Sequence, residues 1–190
     1  MNAVIFHGGL QSDAGLEAIH TRLRDALQAQ GWTVETKRLE TMTIRPCTGC
    51  FGCWLRTPGE CLQADDGREV PKAFAQNDAV IYLSPVSFGG YSSLLKTAID
   101  RIIPFASPLF RVVDGEIHHL KRYPKSPGYF AIGWQAQPDQ EAADVFRQLV
   151  GRNIRNTRPP SHAALVLNAM QSPEEQQAQI AQMVRKMEVK

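Results

Sequence analysis

The stretch AVIYLSPVSFGGYSSLLKTAIDR, Ala79 to Arg101, carries the pattern that decides the fold. It opens on an unbroken apolar run, Ala79–Leu83, and passes through Ser84-Pro85 and the pair Gly89-Gly90. It then enters a stripe of Leu94, Leu95, Ala98, Ile99 and Ile102 that Pro104 stops. A short continuous apolar run reads as a strand covered on both faces, the habit of parallel sheets. Apolar residues three and four apart read as a helix with one buried side. Strand, glycine-bearing turn and helix in that order make part of a βαβ unit.

The same reading extends in both directions. Ala3–Phe6, Tyr129–Gly133 and Ala163–Leu167 are further unbroken apolar runs, while Thr33–Leu39 alternates and carries charge, as an edge strand does. Leu16, Ile19, Leu23, Ala26 and Leu27 form a helical stripe ended by Gly31, and Ala142, Val145, Phe146, Leu149 and Val150 form another. A last helix starts with Ser172 as N-cap, Pro173 in the first turn and Glu175 closing a capping box; Ile180, Met183, Val184 and Met187 make its buried side. Strands alternating with helices imply a three-layer α/β sandwich with right-handed crossovers. With the edge strand second in sequence, the five-stranded parallel sheet takes the order 2-1-3-4-5, the flavodoxin-like arrangement. Residues 1–190 are read as one domain. Two segments fit no regular element: Arg45–Asp66, which holds every cysteine, and an irregular insertion over about Pro104–Pro127.

Composition narrows the class. Hydrophobic residues at 43% with 21% charged residues describe a soluble globular protein, and a net charge of +2 gives no ground for a nucleic-acid partner. No apolar run approaches the roughly 20 residues that cross a bilayer. The start, MNAVIFHGG, has neither the basic nor the long apolar region of a signal peptide, so the expectation is a cytoplasmic protein without a membrane partner. In a reducing compartment, clustered cysteines are metal ligands or redox thiols before they are disulfides.

In an open α/β sheet, ligands bind beyond the carboxyl ends of the strands, where strand order reverses. For this order the point lies between the first and third strands, and three loops meet there. In HGGLQSDAG (His7–Gly15), Gly8 and Gly9 permit close backbone approach and Ser12 brings a hydroxyl to a helix N-terminus, the parts of a phosphate cradle. Asp13 is expected to cap that helix. In SPVSFGGYSS (Ser84–Ser93), Ser84, Pro85, Val86, Ser87, Phe88 and Gly89 offer a flat backbone beside aromatic faces, Tyr91 among them. After the fourth strand, Gly133, Trp134 and Gln135 are placed to cover or hydrogen-bond a ring.

These features resemble the NAD(P)H-dependent FMN reductase-like branch of the flavodoxin superfamily, and most closely the iron–sulfur flavoproteins. The resemblance rests on AVIYLSPVSFGGYSSLLKTAIDR, on the glycine turn after the first strand and on PCTGCFGC…C…DD, and it runs to about Arg101. It implies FMN held noncovalently, its phosphate on the first turn and its ring against the loops after the third and fourth strands. It also implies NAD(P)H as co-substrate. The chain departs from the family in two places. GGLQSDAGL stands where members carry Ser-Pro-Arg and Asn-Thr, and Ser87 stands where many carry tyrosine.

Cys47, Cys50, Cys53 and Cys61 follow the spacing Cys-x2-Cys-x2-Cys-x7-Cys. Ligands three residues apart can wrap successive corners of one cubane, with a fourth closing the site. A zinc ribbon would separate two Cys-x2-Cys knuckles more widely. The spacing also resembles the compact motif of the iron–sulfur flavoproteins, which implies a [4Fe–4S] cluster; zinc and unliganded redox thiols are the alternatives. Asp65 and Asp66 read as caps of the following helix. The histidines are scattered and expected at the surface. Lys96 suits either a flavin contact or a solvated helix face.

No acid–base dyad or triad stands out, so the reading contains no catalytic side chain. Apolar and aromatic residues in the two irregular segments (Phe51, Trp54, Leu55, Phe105, Leu109 and Phe110) suit a partner surface, and a homodimer or homotetramer is expected. Two functions follow. One is a flavoprotein passing electrons from reduced nicotinamide to an acceptor; the other is a binding or redox-sensing module without flavin turnover.

Overall fold

The computed structural model describes residues 1–187. In chain order the elements are β1 (Asn2–His7), α1 (Ala14–Ala29), β2 (Thr33–Arg38), α2 (Gly52–Leu55), α3 (Glu69–Gln76), β3 (Ala79–Pro85) and α4 (Ser93–Asp100). Then come β4 (Ala106–Val113), β5 (Glu116–Lys121), β6 (Gly128–Gln135), α5 (Gln140–Thr157), β7 (His162–Asn168) and α6 (Pro173–Met187). The sheet order is β2-β1-β3-β6-β7, with every neighbouring pair parallel. Counting sheet strands alone, this is the expected 2-1-3-4-5, with the charged Thr33–Arg38 on one edge.

Three of the unbroken apolar strands, β1, β3 and β6, are central because both of their faces are covered; the fourth, β7, lies on the edge opposite β2. Ala3, Ile5, Ile81, Phe130 and Ile132 point into a core with α1 and α6. Their alternates Val4, Phe6, Val80, Tyr82 and Ala131 pack under α3, α4 and α5. Period-two alternation thus feeds two cores instead of one core and one wet face. The last helix begins as its sequence requires: Ser172 accepts from the Glu175 N–H at 3.2 Å and Glu175 accepts from the Ser172 N–H at 2.8 Å.

One expectation is corrected. Most of Pro104–Pro127 is not irregular but forms a two-stranded antiparallel ribbon, β4 paired with β5, in the crossover from β3 to β6. Its turn is Asp114-Gly115, at φ 52° and 79°, the left-handed pair that a tight hairpin requires. Asp-Gly between alternating apolar residues was the available signal, hidden by the prolines on either side. The cysteine segment likewise holds one short helix, α2.

Candidate functional site

The loops after β1, β3 and β6 are laced together at the carboxyl end of the sheet. Gly8 N–H donates to Leu83 O at 2.8 Å, and Val86 N–H donates to Trp134 O at 2.8 Å. Ser92, the N-cap of α4, donates its hydroxyl to Gly8 O, and Ser84 Oγ accepts the Ser92 N–H at 2.9 Å. Ser84 is therefore a buried tie between β3 and α4. The switch point is a knitted platform, and α4 hangs from it.

The two glycines of the first turn have a tighter internal reason than approach to a ligand. A β-carbon on Gly8 would stand 2.6 Å from Leu95 Cβ, and one on Gly9 would stand 2.0 Å from Leu16 Cδ2. They let β1 pass close under α4 and α1. Asp13 caps α1 as expected, its carboxylate accepting the Leu16 N–H at 3.0 Å. Ser12 is exposed. The Gln11 N–H is held by a carboxylate oxygen of Glu40 at 2.7 Å, so an acid already stands on this turn.

After β3, Ser87 and Gly90 exchange two backbone hydrogen bonds of 3.0 and 2.8 Å around Phe88 and Gly89. Both central residues lie in the left-handed region, at φ 49° and 73°. For phenylalanine that conformation costs of the order of 1–3 kcal/mol, and such strain collects at functional loops. The turn lifts the Phe88 ring wholly into solvent. Tyr91, expected to offer an aromatic face, is instead buried: its hydroxyl lies 3.2 Å from Tyr129 Oη and accepts from Asn153 at 3.1 Å.

Trp134 and Gln135 are also placed differently from the expected ring cover. Alternation along β6 turns the Trp134 indole inward onto α1, where it lies 2.3 Å from the position of a Gly15 β-carbon. Gln135 is buried, and both ends of its amide are used by the backbone of Asp139, at 2.8 and 3.3 Å. Gly133 keeps room for Val86 and Phe146. Of the expected flavin residues, Pro85, Val86, Ser87 and Phe88 share one solvent-reaching loop with the more buried Gly89, and Ser12 lies on the neighbouring turn. Gly8, Gly9, Ser84, Gly133, Trp134 and Gln135 support them from behind.

The cysteine segment folds against the far end of α4. Cys47, Cys50, Cys53 and Cys61 all line one cavity of about 190 Å³, together with Asp100, Arg101, Ile103 and Pro104. Among the described residues no three His, Cys, Asp or Glu side chains stand close enough to share a single metal ion. The four thiols line one cavity, and four thiolates are the donor set of an iron–sulfur cluster. Cys53 is buried, and desolvation with the nearby Cys61 pushes its thiol pKa up; backbone and Thr48 hydrogen bonds bring that of Cys50 down.

Behind the cavity sits a residue whose role the sequence did not reveal. Arg101 is buried at 1% exposure and forms a fork–fork pair with Asp65, at 2.7 and 2.9 Å. It also donates to Arg45 O at 2.7 Å and to Cys61 Sγ at 3.4 Å. Gly67 makes room, since a β-carbon there would lie 2.5 Å from Arg101 Cζ. Asp65 does cap the turn before α3, accepting the Gly67 N–H at 3.1 Å, but its larger task is this pair. The Arg101 guanidinium is also the main cause that holds the Asp65 carboxyl at about 2. Asp66 instead accepts the Thr43 N–H at 2.7 Å.

Not all histidines are at the surface. His7 and His20 are buried edge to face, 5.3 Å between ring centres, below the first turn. Glu17 lies 3.2 Å from His7 Nε2 and takes both nitrogens of Arg38, at 2.6 and 2.8 Å. Burial lowers the pKa of both rings, that of His20 to about 4. Arg38 is thus committed to Glu17 and is not a free cation for a phosphate. Lys96 pairs with Asp100 one turn along the exposed face of α4, the solvated alternative.

Tested against FMN, the loop after β3 offers exposed backbone at Ser87 and Phe88 against which a flat ring would rest. On the first turn the exposed Ser12 and the N-terminus of α1 are the groups that would hold a phosphate, beside the Glu40 carboxylate that accepts the Gln11 N–H. Among the described residues no helix is long and apolar enough to cross a membrane.

Comparison with known proteins agrees with this geometry. The chain is similar to an iron-sulfur flavoprotein of Archaeoglobus fulgidus, with 38% identity over 79 residues, 42% of this chain and 35% of the relative. The matched stretch therefore spans well under half of that relative's length. In fold it is similar to an NAD(P)H:quinone oxidoreductase from Methanothermobacter marburgensis, with TM-score 0.73, 12% identity and coverage of 99% and 96% of the two chains. It is also similar to an FMN-dependent NADH-azoreductase from Bacillus anthracis solved with FMN, with TM-score 0.60, 12% identity and coverage of 96% and 94%. The model of the family described as NADPH-dependent FMN reductase matches residues 1–112, more than half of the chain, and the protein belongs to that family.

Proposed function

We propose that the protein binds FMN at the ends of β1, β3 and β6 and works as an NAD(P)H-dependent oxidoreductase. In this reading it also carries a [4Fe–4S] cluster on Cys47, Cys50, Cys53 and Cys61. The observation that carries it is the placement of two sites at the two ends of α4. Ser92 at the N-terminal end anchors the candidate flavin loop, and Arg101 at the C-terminal end touches the cavity that all four thiols line. The family match supports the flavin and nicotinamide part of this reading, the structural neighbours its fold, and the name of the iron-sulfur flavoprotein relative its cluster part.

Bound FMN would supply hydride acceptance from reduced nicotinamide and release of electrons singly or in pairs to an acceptor. The chain's work is placement. Pro85 to Gly89 would set the face of the ring, and Ser12 with the N-terminus of α1 would hold the phosphate. No side chain is asked to act as acid or base. The reading places residues 1–190 in one domain, in a reducing cytoplasm, as a homo-oligomer.

The test is an absorbance spectrum of anaerobically purified protein, followed by NADH and NADPH consumption with a quinone or ferricyanide as acceptor. Resolved flavin bands, a broad shoulder bleached by dithionite and reductant oxidation are expected. A second reading, a module that does not turn over flavin, is favoured by one observation: the Glu40 carboxylate on the first turn. Protein that stays colourless after incubation with FMN would establish that reading instead.

A further inference from the structure

We propose that Arg101 is a positioning residue that sets the reduction potential of the metal–sulfur centre held by the cysteines, acting through the sulfur of Cys61. The inference rests on the cluster reading above and goes beyond it by naming what controls the centre's affinity for electrons.

The geometry is built for this. Guanidinium cannot lose its proton under ordinary conditions. Here it is fully buried, so solvent screens its charge very little. One terminal nitrogen of Arg101 donates both to Cys61 Sγ and to Asp65 Oδ1, at 3.4 and 2.7 Å. The other donates to Asp65 Oδ2 and Arg45 O, at 2.9 and 2.7 Å. The fork therefore cannot rotate away from the sulfur without breaking several bonds. Asp65 is fixed in turn by the N–H groups of Arg45 and Gly67, at 2.9 and 3.1 Å. Arg101, and not the Asp65 carboxylate, is thus the member of the pair that lines the cavity.

The direction follows from charge. Adding one electron to a thiolate-bound centre increases the negative charge on its ligand sulfurs. A hydrogen bond and a cation at one sulfur stabilise that state more than the oxidised one, so they raise the potential. The carboxylate of Asp65 acts oppositely, from farther away. The other charge on the cavity wall, Asp100, is already met by Lys96.

Opposite signs separate this role from simple scaffolding. Either half of a buried pair, if removed, should loosen the loop, but only an electrostatic role moves the potential in opposite directions. The experiment is an anaerobic redox titration, followed by visible absorbance and electron paramagnetic resonance, on protein reconstituted with iron and sulfide. The variants are Arg101→Met, Asp65→Asn and the double variant, each checked for parental iron and sulfide content.

Arg101→Met is expected to shift the reduced-to-oxidised ratio at fixed potential at least tenfold toward oxidised, a drop of 59 mV for one electron. Asp65→Asn is expected to shift it toward reduced. If Arg101→Met does not fold, the double variant, which leaves no unpaired buried charge, carries the same test, with a drop of the same sign that is smaller because the opposing Asp65 charge is gone too. Unchanged potentials, or shifts of the same sign in Arg101→Met and Asp65→Asn, overturn the inference. Parent protein that assembles no centre at all overturns the cluster reading itself, a result distinguishable from either.

Discussion

Trp134 Cζ2 lies 2.3 Å from the place a β-carbon on Gly15 would occupy, so β6 and the first turn of α1 meet only because residue 15 has no side chain. Gly15→Ala should force the buried indole to shift and cost about 1–3 kcal/mol. Gly151, inside α5, has nothing within 4 Å of its would-be β-carbon. Gly151→Ala should therefore gain about 0.5–1 kcal/mol from helix propensity alone. Urea unfolding midpoints of the two variants on opposite sides of the parent are the expected result. Equal effects would mean that the glycine at 15 is not a packing requirement.

The Asp65–Arg101 pair makes stability depend on acid. The carboxyl is held at about 2 by Arg101 and by the Arg45 and Gly67 N–H groups, below its ordinary 3.8. A folded-state pKa below the unfolded one gives stability that is complete above the unfolded value and is lost as pH falls through the folded value. A shift of this size is worth about 2–3 kcal/mol for a shielded group. The stability difference between parent and Asp65→Asn should shrink by about that amount between about pH 5 and pH 1, measured by urea unfolding at each pH. A difference constant over that window would remove the pair as its cause.

Serine at Cys47, Cys50, Cys53 or Cys61 should lower bound iron and acid-labile sulfide together in anaerobic protein, because a cubane missing a ligand is unstable. The measurement is iron and sulfide per chain beside the visible spectrum. Four single variants that all keep the parental spectrum would show that the thiols do not share a centre.

The ribbon exposes Leu109, Phe110, Val112 and Ile117, and the cysteine segment exposes Phe51 and Leu55. Exposed apolar residues in such number, Val112 and Ile117 directly opposite each other among them, suit a partner surface, and the commonest partner is a second copy. Phe110→Glu or Ile117→Glu should reduce the mass seen by light scattering to the 21.1 kDa of one chain. Parent protein already at that mass rejects the assembly. Trp54 is not a good probe of the same surface: its indole donates to Ile103 O and Ala106 O, at 3.2 and 3.1 Å, and tilts against His119.

Local patterns made the sheet legible, and long-range contacts hid much of the site. The apolar runs at Ala3, Ala79, Tyr129 and Ala163 told their own story, since a strand covered on both faces needs apolar residues on both. The capping box at Ser172 and Glu175 was likewise written within four residues. Trp134 could not be placed this way: which face of β6 it takes depends on register against β3, and its neighbour Gly15 is in another element. Arg101 joins residues 36 and 56 positions away, and the pairing of His7 with Glu17 needs both β1 and α1 in place. The ribbon is different, for Asp114-Gly115 announces it locally, and prolines at 104, 108, 124 and 127 drew attention away.

That ribbon also bears on how the chain finds its fold. Strands β3 and β6 pair in parallel across a long connection, and such closures are slow because chain entropy is spent before any contact forms. A hairpin forms from local contacts within microseconds. By bringing Ala106 beside Lys121, it ties off part of that connection before β6 arrives. The saving in closure entropy is only a few tenths of a kcal/mol, given the logarithmic dependence on loop length. Its larger consequence is in timing. The segment that carries the exposed apolar surface can be ordered early, while the cysteine segment must wait for Arg101, and therefore for α4, to be in position.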